Sequence, residues 1–192
     1  MNSSEQKLNF AIKGSRFYQI FFEWQELVAQ SLIVVIFVLA FFFRIFTVNG
    51  SSMRDTLYNG DKVVIRRWDY TPKNGDIVVI KTLPSPLITF PIIKRIIATE
   101  GQSLSINVEE NSVIVDGIKL DESYIKEPMR VIGDAELPNV VPKGNFVAFG
   151  DNRNGSTDSR FKEVGLIPKD YIIGKAEFIY FPFYRIKSLS LK

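Results

Sequence analysis

The sequence predicts a mainly β protein, in which an N-terminal transmembrane helix precedes an antiparallel β-sheet or barrel-like domain. Three observations predict this class. One long uncharged apolar segment occurs near the N-terminus, short runs rich in Val and Ile follow it, and Asn-Gly and Asp-Gly pairs separate several of these runs. The chain has 192 residues, a length that suits one globular domain with an appendage.

The apolar segment runs from Leu27 to Phe43 without a charged residue. With its flanks it reaches the roughly 20 residues that a helix needs to cross a bilayer. We therefore predict an N-terminal tail over 1–26, a transmembrane helix over 27–46 and a β-rich domain over 47–192. A cleaved signal peptide, which usually has a shorter apolar region nearer to Met1, and a buried core helix are the alternatives. Basic residues flank the segment on both sides, so charge bias decides the orientation poorly.

Short β-type runs follow the apolar segment. The runs at 62–68 and 77–81 each come directly after an Asn-Gly-Asp triplet, whose Asn-Gly pair tolerates the positive φ of a tight turn. The segment "SVIVDGIKL", residues 112–120, places Asp-Gly between two alternating runs and predicts a hairpin. Further strands are predicted at 145–150 and 172–181. A barrel and a pair of packed sheets both fit this pattern.

The residue types that are missing exclude several kinds of site. The sequence has no Cys and no His, which excludes zinc sites built on those ligands, cysteine nucleophiles and the Ser-His-Asp triad. The net charge of +3 comes from interspersed acids and bases, so no nucleic-acid partner is expected. Acid–base chemistry near neutral pH would need a carboxylate, a tyrosine or a lysine with a lowered pKa. We expect no metal and no other cofactor.

Lys94 is the lysine whose setting differs from the others, which lie mostly in polar surroundings. It stands in "LITFPIIKRIIA", where an extended strand would place Phe90, Ile92 and Ile96 on the same face. Burial disfavours the ammonium form and lowers the pKa of a lysine, and the neutral amine could then take a proton from a serine hydroxyl. Ser52, in "GSSMRDTL", is the candidate nucleophile. The alternative is a lysine whose stem covers apolar surface while its amine reaches water.

A third stretch, "GDNRNGSTDSR" at residues 150–160, follows the apolar run "NFVAF". Its density of short polar and charged side chains at the end of a strand suits a loop of interlocking hydrogen bonds and ion pairs. A solvated loop is the alternative on chemistry alone.

Together the three stretches resemble bacterial type I signal peptidase, a membrane-bound serine protease family. "VNGSSMRDTL" is similar to the family's V-x-G-x-S-M-x-P-T-L box, "IIKRIIATEGQ" to its lysine box, and "GDNRNGSTDSR" to G-D-N-R-x-x-S-x-D-S-R. The third match is the most specific. The resemblance covers roughly residues 25 to 182 and is weakest from Gln102 to Pro142, so 103–142 is expected to be the least catalytic part.

The resemblance implies a Ser-Lys dyad. Ser52 would attack the scissile carbonyl and Lys94 would accept its proton, while the Ser52 backbone N–H would form part of an oxyanion hole. Ser156 would hydrogen-bond and orient the Lys94 amine. Structural ion pairs would join Asp158 to Arg160 and Asp151 to Arg95, and Ser51 would be a bystander.

The sequence also departs from the family pattern. Gly50 stands where some members place a serine hydroxyl two residues before the nucleophile, Asp55 replaces the usual proline, and Ile92 replaces a common tyrosine. Glu100-Gly101-Gln102 replaces the usual Pro-Gly-Asp. None of these changes removes a catalytic group.

The resemblance further implies a single-pass protein of the cell membrane with its catalytic domain outside the cytoplasm. Its partners would be the bilayer and the signal peptides of exported preproteins, cleaved after small residues of the Ala-x-Ala type. The apolar stretches 83–93 and 178–184 would line the peptide groove, dip into the bilayer interface or belong to the core. A membrane-tethered binding protein without activity, and a Ser-Lys protease of the self-cleaving repressor type, are the competing functions.

Overall fold

A computed structural model describes residues 3–86 and 88–190. The first two residues of the predicted tail and the last two of the predicted domain therefore lie outside the described residues, as does Leu87. The chain divides into two compact units, Met1–Phe42 and Phe43–Lys192.

The first unit is one helix, α1, over Ser3–Phe42. Residues 3–26, predicted as a tail, are thus helical, and the helix ends at Phe42 rather than at residue 46. Within it, Tyr18–Phe42 is long and apolar enough to cross a membrane, with a mean hydropathy of 2.1. The predicted end was wrong because the apolar run continues into a strand, Phe43–Thr47, whose aromatic and β-branched residues suit strand pairing as well as helix.

The second unit is built from strands that all pair in antiparallel fashion among the described residues. The strands are β1 Phe43–Thr47, β2 Lys62–Arg66, β3 Ile77–Ile80, β4 Ile92–Ala98, β5 Leu104–Asn107, β6 Ser112–Val115, β7 Ile118–Lys119, β8 Asn145–Phe149, β9 Ile167–Pro168, β10 Ile172–Phe181 and β11 Lys187–Ser188. The helices described in this unit are two short 3-10 turns, Lys169–Tyr171 and Phe183–Arg185. The predicted mainly antiparallel β class is confirmed.

The strands form two sheets. The larger has the order β1-β2-β10-β3-β4-β8-β9, with β11 added to β10, and the smaller has the order β5-β6-β7. The hairpin predicted from Asp116-Gly117 is the β6–β7 connection, where Val115 lies opposite Ile118.

Strand β4 has the central position that matters for the site. It pairs with β3 on one side and β8 on the other, and every residue of it except Ile92 is buried. Its apolar side chains belong to three separate core clusters, Ile93 to the first, Ile96 to the second and Ile97 to the third. Because the strand is covered on both faces, a polar side chain on it must find its partners inside the protein.

Candidate active site

The nucleophile candidate lies on a short loop anchored in the core. Met53 and Leu57, on either side of the turn after Ser52, are buried in the first core cluster, which also contains Ile93 of β4. The Leu57 N–H donates to Met53 O at 2.8 Å and closes the turn. Gly50 adopts a left-handed φ of 88° just before it, a conformation that glycine adopts without strain. Ser52 is half-buried, so part of the residue remains accessible to solvent.

Lys94 points its amine at that hydroxyl. The Nζ atom lies 2.8 Å from Ser52 Oγ and 3.1 Å from Ile93 O, as donor to both. Only 3% of Lys94 is exposed, so water contributes little to the solvation of the amine. The alternative of a solvated amine on an apolar stem is therefore wrong.

The surroundings shift the protonation of Lys94 in the direction that a base needs. Burial lowers the pKa of Lys94 to about 8, because an ammonium ion loses hydration there. The negative charges of Asp158 and Asp151 oppose this shift and raise the pKa, while Arg160 lowers it. Near neutral pH a minor fraction of about one tenth is the neutral amine, which is the form that accepts a proton.

The loop after β8 takes part in two buried arginine–carboxylate pairs, one with Arg95 of β4 and one within the loop. Arg95 donates from Nε and Nη2 to the two oxygens of Asp151, at 2.8 and 2.6 Å. Arg160 donates in the same way to Asp158, at 2.8 Å for each bond. These are the two pairs that the resemblance implied, and all four side chains are buried.

Two residues to which the sequence analysis assigned no role, Asn152 and Thr56, link this loop to the nucleophile loop by hydrogen bonds. Asn152 donates from its backbone N–H to Ser52 O at 3.0 Å and from Nδ2 to Ser51 O at 3.1 Å. Thr56 donates from Oγ1 to Asp151 Oδ2 at 2.6 Å. Both residues stand in the quoted boxes, which was the available signal, but nothing local to either stretch predicts a contact between them.

Gly150 fits between the two serines of the site. A methyl group added there would lie 2.3 Å from Ser156 Oγ and 2.4 Å from Ser52 O, so a side chain at this position would push them apart. Ser156 is buried, and its hydroxyl has no hydrogen-bond partner among the described residues. The hydrogen bond expected between Ser156 and the Lys94 amine is thus not formed. Lys94 instead donates to Ser52 Oγ and Ile93 O.

A cleft of about 230 Å³ opens beside Ser52 and Lys94. One wall is apolar and comes from β1, from the segment before β4 and from the first two residues of β4. Its side chains are Phe46, Ile88, Phe90, Pro91, Ile92 and Ile93. Of the predicted groove stretches, Ile88 and residues 90–93 therefore line it, whereas none of residues 178–184 does. Among the described residues, no group of three or more acidic side chains is placed to hold a metal ion.

Comparison with known proteins points in one direction. The model of the family described as "Signal peptidase, peptidase S26" matches residues 21–181. The chain is 33% identical to signal peptidase I P of Bacillus subtilis subsp. natto, over 86% of this chain and 91% of that protein. It is 30% identical to signal peptidase IB of Staphylococcus aureus, over 86% and 92% of the two chains.

A solved structure is also similar. The crystal structure of a signal peptidase I from Enterococcus faecalis aligns with 55% of this chain and 97% of its own, at 24% sequence identity and a TM-score of 0.46.

Proposed function

The chain belongs to the signal peptidase family of S26 peptidases, serine endopeptidases that act on signal peptides, and on that premise we propose that it cleaves preproteins with a Ser52–Lys94 dyad. The observation that supports the dyad is the 2.8 Å approach of Lys94 Nζ to Ser52 Oγ in a site without histidine. Membership of the family implies cleavage of signal peptides, and we propose that Ser52 and Lys94 carry it out in this chain.

Acylation begins from the neutral amine. Lys94 takes the hydroxyl proton as Ser52 Oγ attacks the carbonyl carbon of the scissile peptide bond. The tetrahedral intermediate then collapses, the C–N bond breaks, and the Lys94 ammonium gives its proton to the leaving amine. The product of this half is an ester of Ser52 and a neutral Lys94.

Deacylation repeats the same steps with water. Lys94 takes a proton from the water that attacks the ester carbonyl, and returns it to Ser52 Oγ as the carbon–oxygen bond breaks. Because Lys94 is buried beside Ser52, one group serves as base and acid in both halves.

The negative charge on the intermediate needs hydrogen-bond donors. The backbone N–H of Ser52 is the donor that we assign to this oxyanion hole. Gly50 supplies no side-chain hydroxyl, and its own N–H donates to Asn59 Oδ1 at 2.9 Å. The Ser52 N–H is fixed because the adjoining Ser51 and Ser52 carbonyls are both held by Asn152.

The cleft is consistent with a preference for small residues next to the scissile bond. Its apolar wall lies beside Ser52 and Lys94, and we infer that this wall disfavours a large side chain next to the scissile bond by steric exclusion. This supports cleavage after Ala-x-Ala sequences. The helix Tyr18–Phe42 supports a single-pass anchor in the cell membrane. We place the catalytic unit outside the cytoplasm because the family acts on the signal peptides of exported preproteins.

The test compares two adjacent serines. Detergent-solubilised protein is mixed with a preprotein that carries an Ala-x-Ala site, and the new N-terminus is identified by mass spectrometry. Ser52→Ala should abolish cleavage, because it removes the nucleophile. Ser51→Ala, which removes a neighbouring hydroxyl, should still cleave at the same bond. Cleavage by Ser52→Ala would exclude the assigned nucleophile, and no cleavage by the unaltered chain would favour a binding protein that keeps the fold.

A further inference from the structure

Residues 122–135 cross the loop that holds Asp151 and Asp158, and we call this segment the strap. It lies within 103–142, the part expected from the sequence to be least catalytic. Its backbone N–H groups donate to that loop, from Lys126 to Asp151 O at 3.1 Å, from Arg130 to Asn154 Oδ1 at 2.8 Å and from Ala135 to Arg160 O at 2.9 Å. The strap is therefore fastened to the loop that packs against Ser52.

Two side chains of the strap reach buried arginines. The Glu122 carboxylate accepts a hydrogen bond from Arg153 Nη2. The ring of Tyr124 lies over the guanidinium of Arg95, with 4.0 Å between Arg95 Cζ and the ring centroid. Arg95 is 2% exposed, and a cation over an aromatic face is held most strongly when water is excluded.

We propose that Tyr124 is a positioning residue for the Ser52–Lys94 pair and acts through Arg95. The inference rests on the proposed function, because it assigns Tyr124 a part in the same reaction. Arg95 follows Lys94 directly on β4, so the orientation of its side chain is coupled to the strand that carries the base.

A continuous set of contacts leads from the ring to the nucleophile loop. Arg95 binds both oxygens of Asp151, and Asp151 also accepts the Thr56 hydroxyl at 2.6 Å. Thr56 lies four residues after Ser52, in the turn closed by Met53 and Leu57. Tyr124 thus covers an ion pair whose carboxylate, Asp151, joins β4 to the nucleophile loop.

The geometry assigns this role to the ring and not to the hydroxyl. Arg95 uses its in-plane N–H groups for Asp151 and for Gly75 O, at 2.8 Å from Nη1. The faces of a guanidinium carry no N–H, so an aromatic face covers one without leaving a donor unpaired. The Tyr124 hydroxyl makes only a long contact of 3.5 Å with Glu122 Oε1 among the described residues. Burial raises the pKa of Tyr124 to about 12, so the ring stays uncharged in the working pH range.

The test replaces the ring by an apolar side chain, in Tyr124→Leu. We expect kcat for preprotein cleavage to fall roughly tenfold, less than the ~100-fold that a 1 Å misplacement of reacting groups can cost. KM should not change, because Tyr124 does not line the cleft. The measurement is the steady-state rate of the full-length protein in detergent, taken over a pH series.

The pH profile separates positioning from folding. The charged groups that act on Lys94 are Asp151, Asp158 and Arg160, with Arg95 next to it on β4. If Arg95 is held less firmly, the charge of Asp151 is neutralised less, and a less neutralised carboxylate raises the pKa of a nearby amine. The acid limb of kcat/KM should therefore move to higher pH in Tyr124→Leu.

Two further variants complete the test. Tyr124→Phe keeps the ring and should restore the kcat and the pH profile of the unaltered chain. Tyr124→Met, a flexible apolar side chain, should behave as Tyr124→Leu if leucine does not fit the space. A lower unfolding temperature with an unmoved acid limb, or failure of both apolar variants to fold, would make Tyr124 a structural residue and overturn the inference.

The outcome is distinguishable from failure of the proposed function. If Ser52→Ala still cleaves, the dyad itself is wrong and the Tyr124 profile has no bearing on it. If Ser52→Ala is inactive and Tyr124→Leu cleaves with an unchanged kcat and acid limb, the dyad stands and the role of Tyr124 is refuted.

Discussion

Two lysines in the same row of the sheet have opposite environments. Val78 on β3 lies opposite Lys94 on β4 and opposite Lys175 on β10. The amine of Lys175 lies 2.7 Å from an oxygen of Asp76, and its side chain is 15% exposed. Lys94 is more deeply buried, yet no carboxylate lies within ion-pair distance of it among the described residues. Lys175 is thus a charged structural residue and Lys94 a buried amine without a contacting counter-ion.

The difference arises from the arginines beside Lys94. Two carboxylates are near enough to raise its pKa, Asp158 and Asp151. Both are already bound by guanidinium groups, from Arg160 and Arg95 respectively. A guanidinium stays protonated in proteins and binds a carboxylate with two parallel bonds, which makes it the stronger competitor for these oxygens. The ion pairs therefore hold the loop in place and also keep the amine available for Ser52.

The largest expected effect comes from removing each amine in turn. Lys94→Met should lower kcat for preprotein cleavage by at least ~10³-fold, since loss of a nucleophile's base is among the largest single-residue effects. Lys175→Met should change kcat by less than about twofold, because Lys175 has no part in the proposed reaction. Both rates are measured on the same preprotein. A Lys94→Met protein within tenfold of the unaltered chain would remove Lys94 from the mechanism and the distinction between the two lysines.

The pH dependence sharpens the comparison with a smaller effect. The base must be neutral, and burial lowers the pKa of Lys94 to about 8. The value of kcat/KM should therefore fall about tenfold for each pH unit below that point and level off above it. Lys175→Met should leave the midpoint of this limb in place. A rate independent of pH between about 6 and 8 would show that a different group accepts the proton.

Much of the fold follows from local pattern in the sequence. The runs at 62–68, 77–81 and 172–181 contain β2, β3 and β10, and the Asp-Gly turn gave the β6–β7 hairpin. The end of α1 could not be predicted from the local pattern, because the apolar character of the helix continues into Phe43–Thr47. Only the pairing of that segment with Lys62–Arg66 makes it a strand, and such a pairing has no local signature.

In the site too, features with a local signature in the sequence were predicted, and several contacts between distant positions were not. The apolar face of β4 left a buried Lys94 and a lysine whose amine reaches water both open, and the structure decides for burial. The resemblance of the three boxes implied the two ion pairs that the structure forms. The hydrogen bonds from Asn152 to the Ser51 and Ser52 carbonyls and the contact of the Tyr124 ring with Arg95 were not predicted, because each joins positions far apart in the chain. The catalytic roles themselves remain predictions.

The smallest expected effect is on stability, and its sign differs between the two lysines. Lys94→Met removes a desolvated charge and should raise the free energy of unfolding by about 1–3 kcal/mol near neutral pH. Lys175→Met breaks a largely buried ion pair and should lower it by about 1–3 kcal/mol, because Asp76 loses its cation but keeps its hydrogen bonds from Tyr70 and Lys73. The unfolded chain holds the proton of Lys94 up to its ordinary pKa of 10.5, whereas the folded chain loses it above about 8. The unaltered protein therefore gains stability as pH rises through that window, and the advantage of Lys94→Met should shrink there.

Thermal unfolding of the detergent-solubilised proteins at neutral and alkaline pH measures the difference in the free energy of unfolding, at roughly 2–4 °C per kcal/mol. A Lys94→Met protein less stable than the unaltered chain at both pH values would show that the amine stabilises the fold, as Lys175 does.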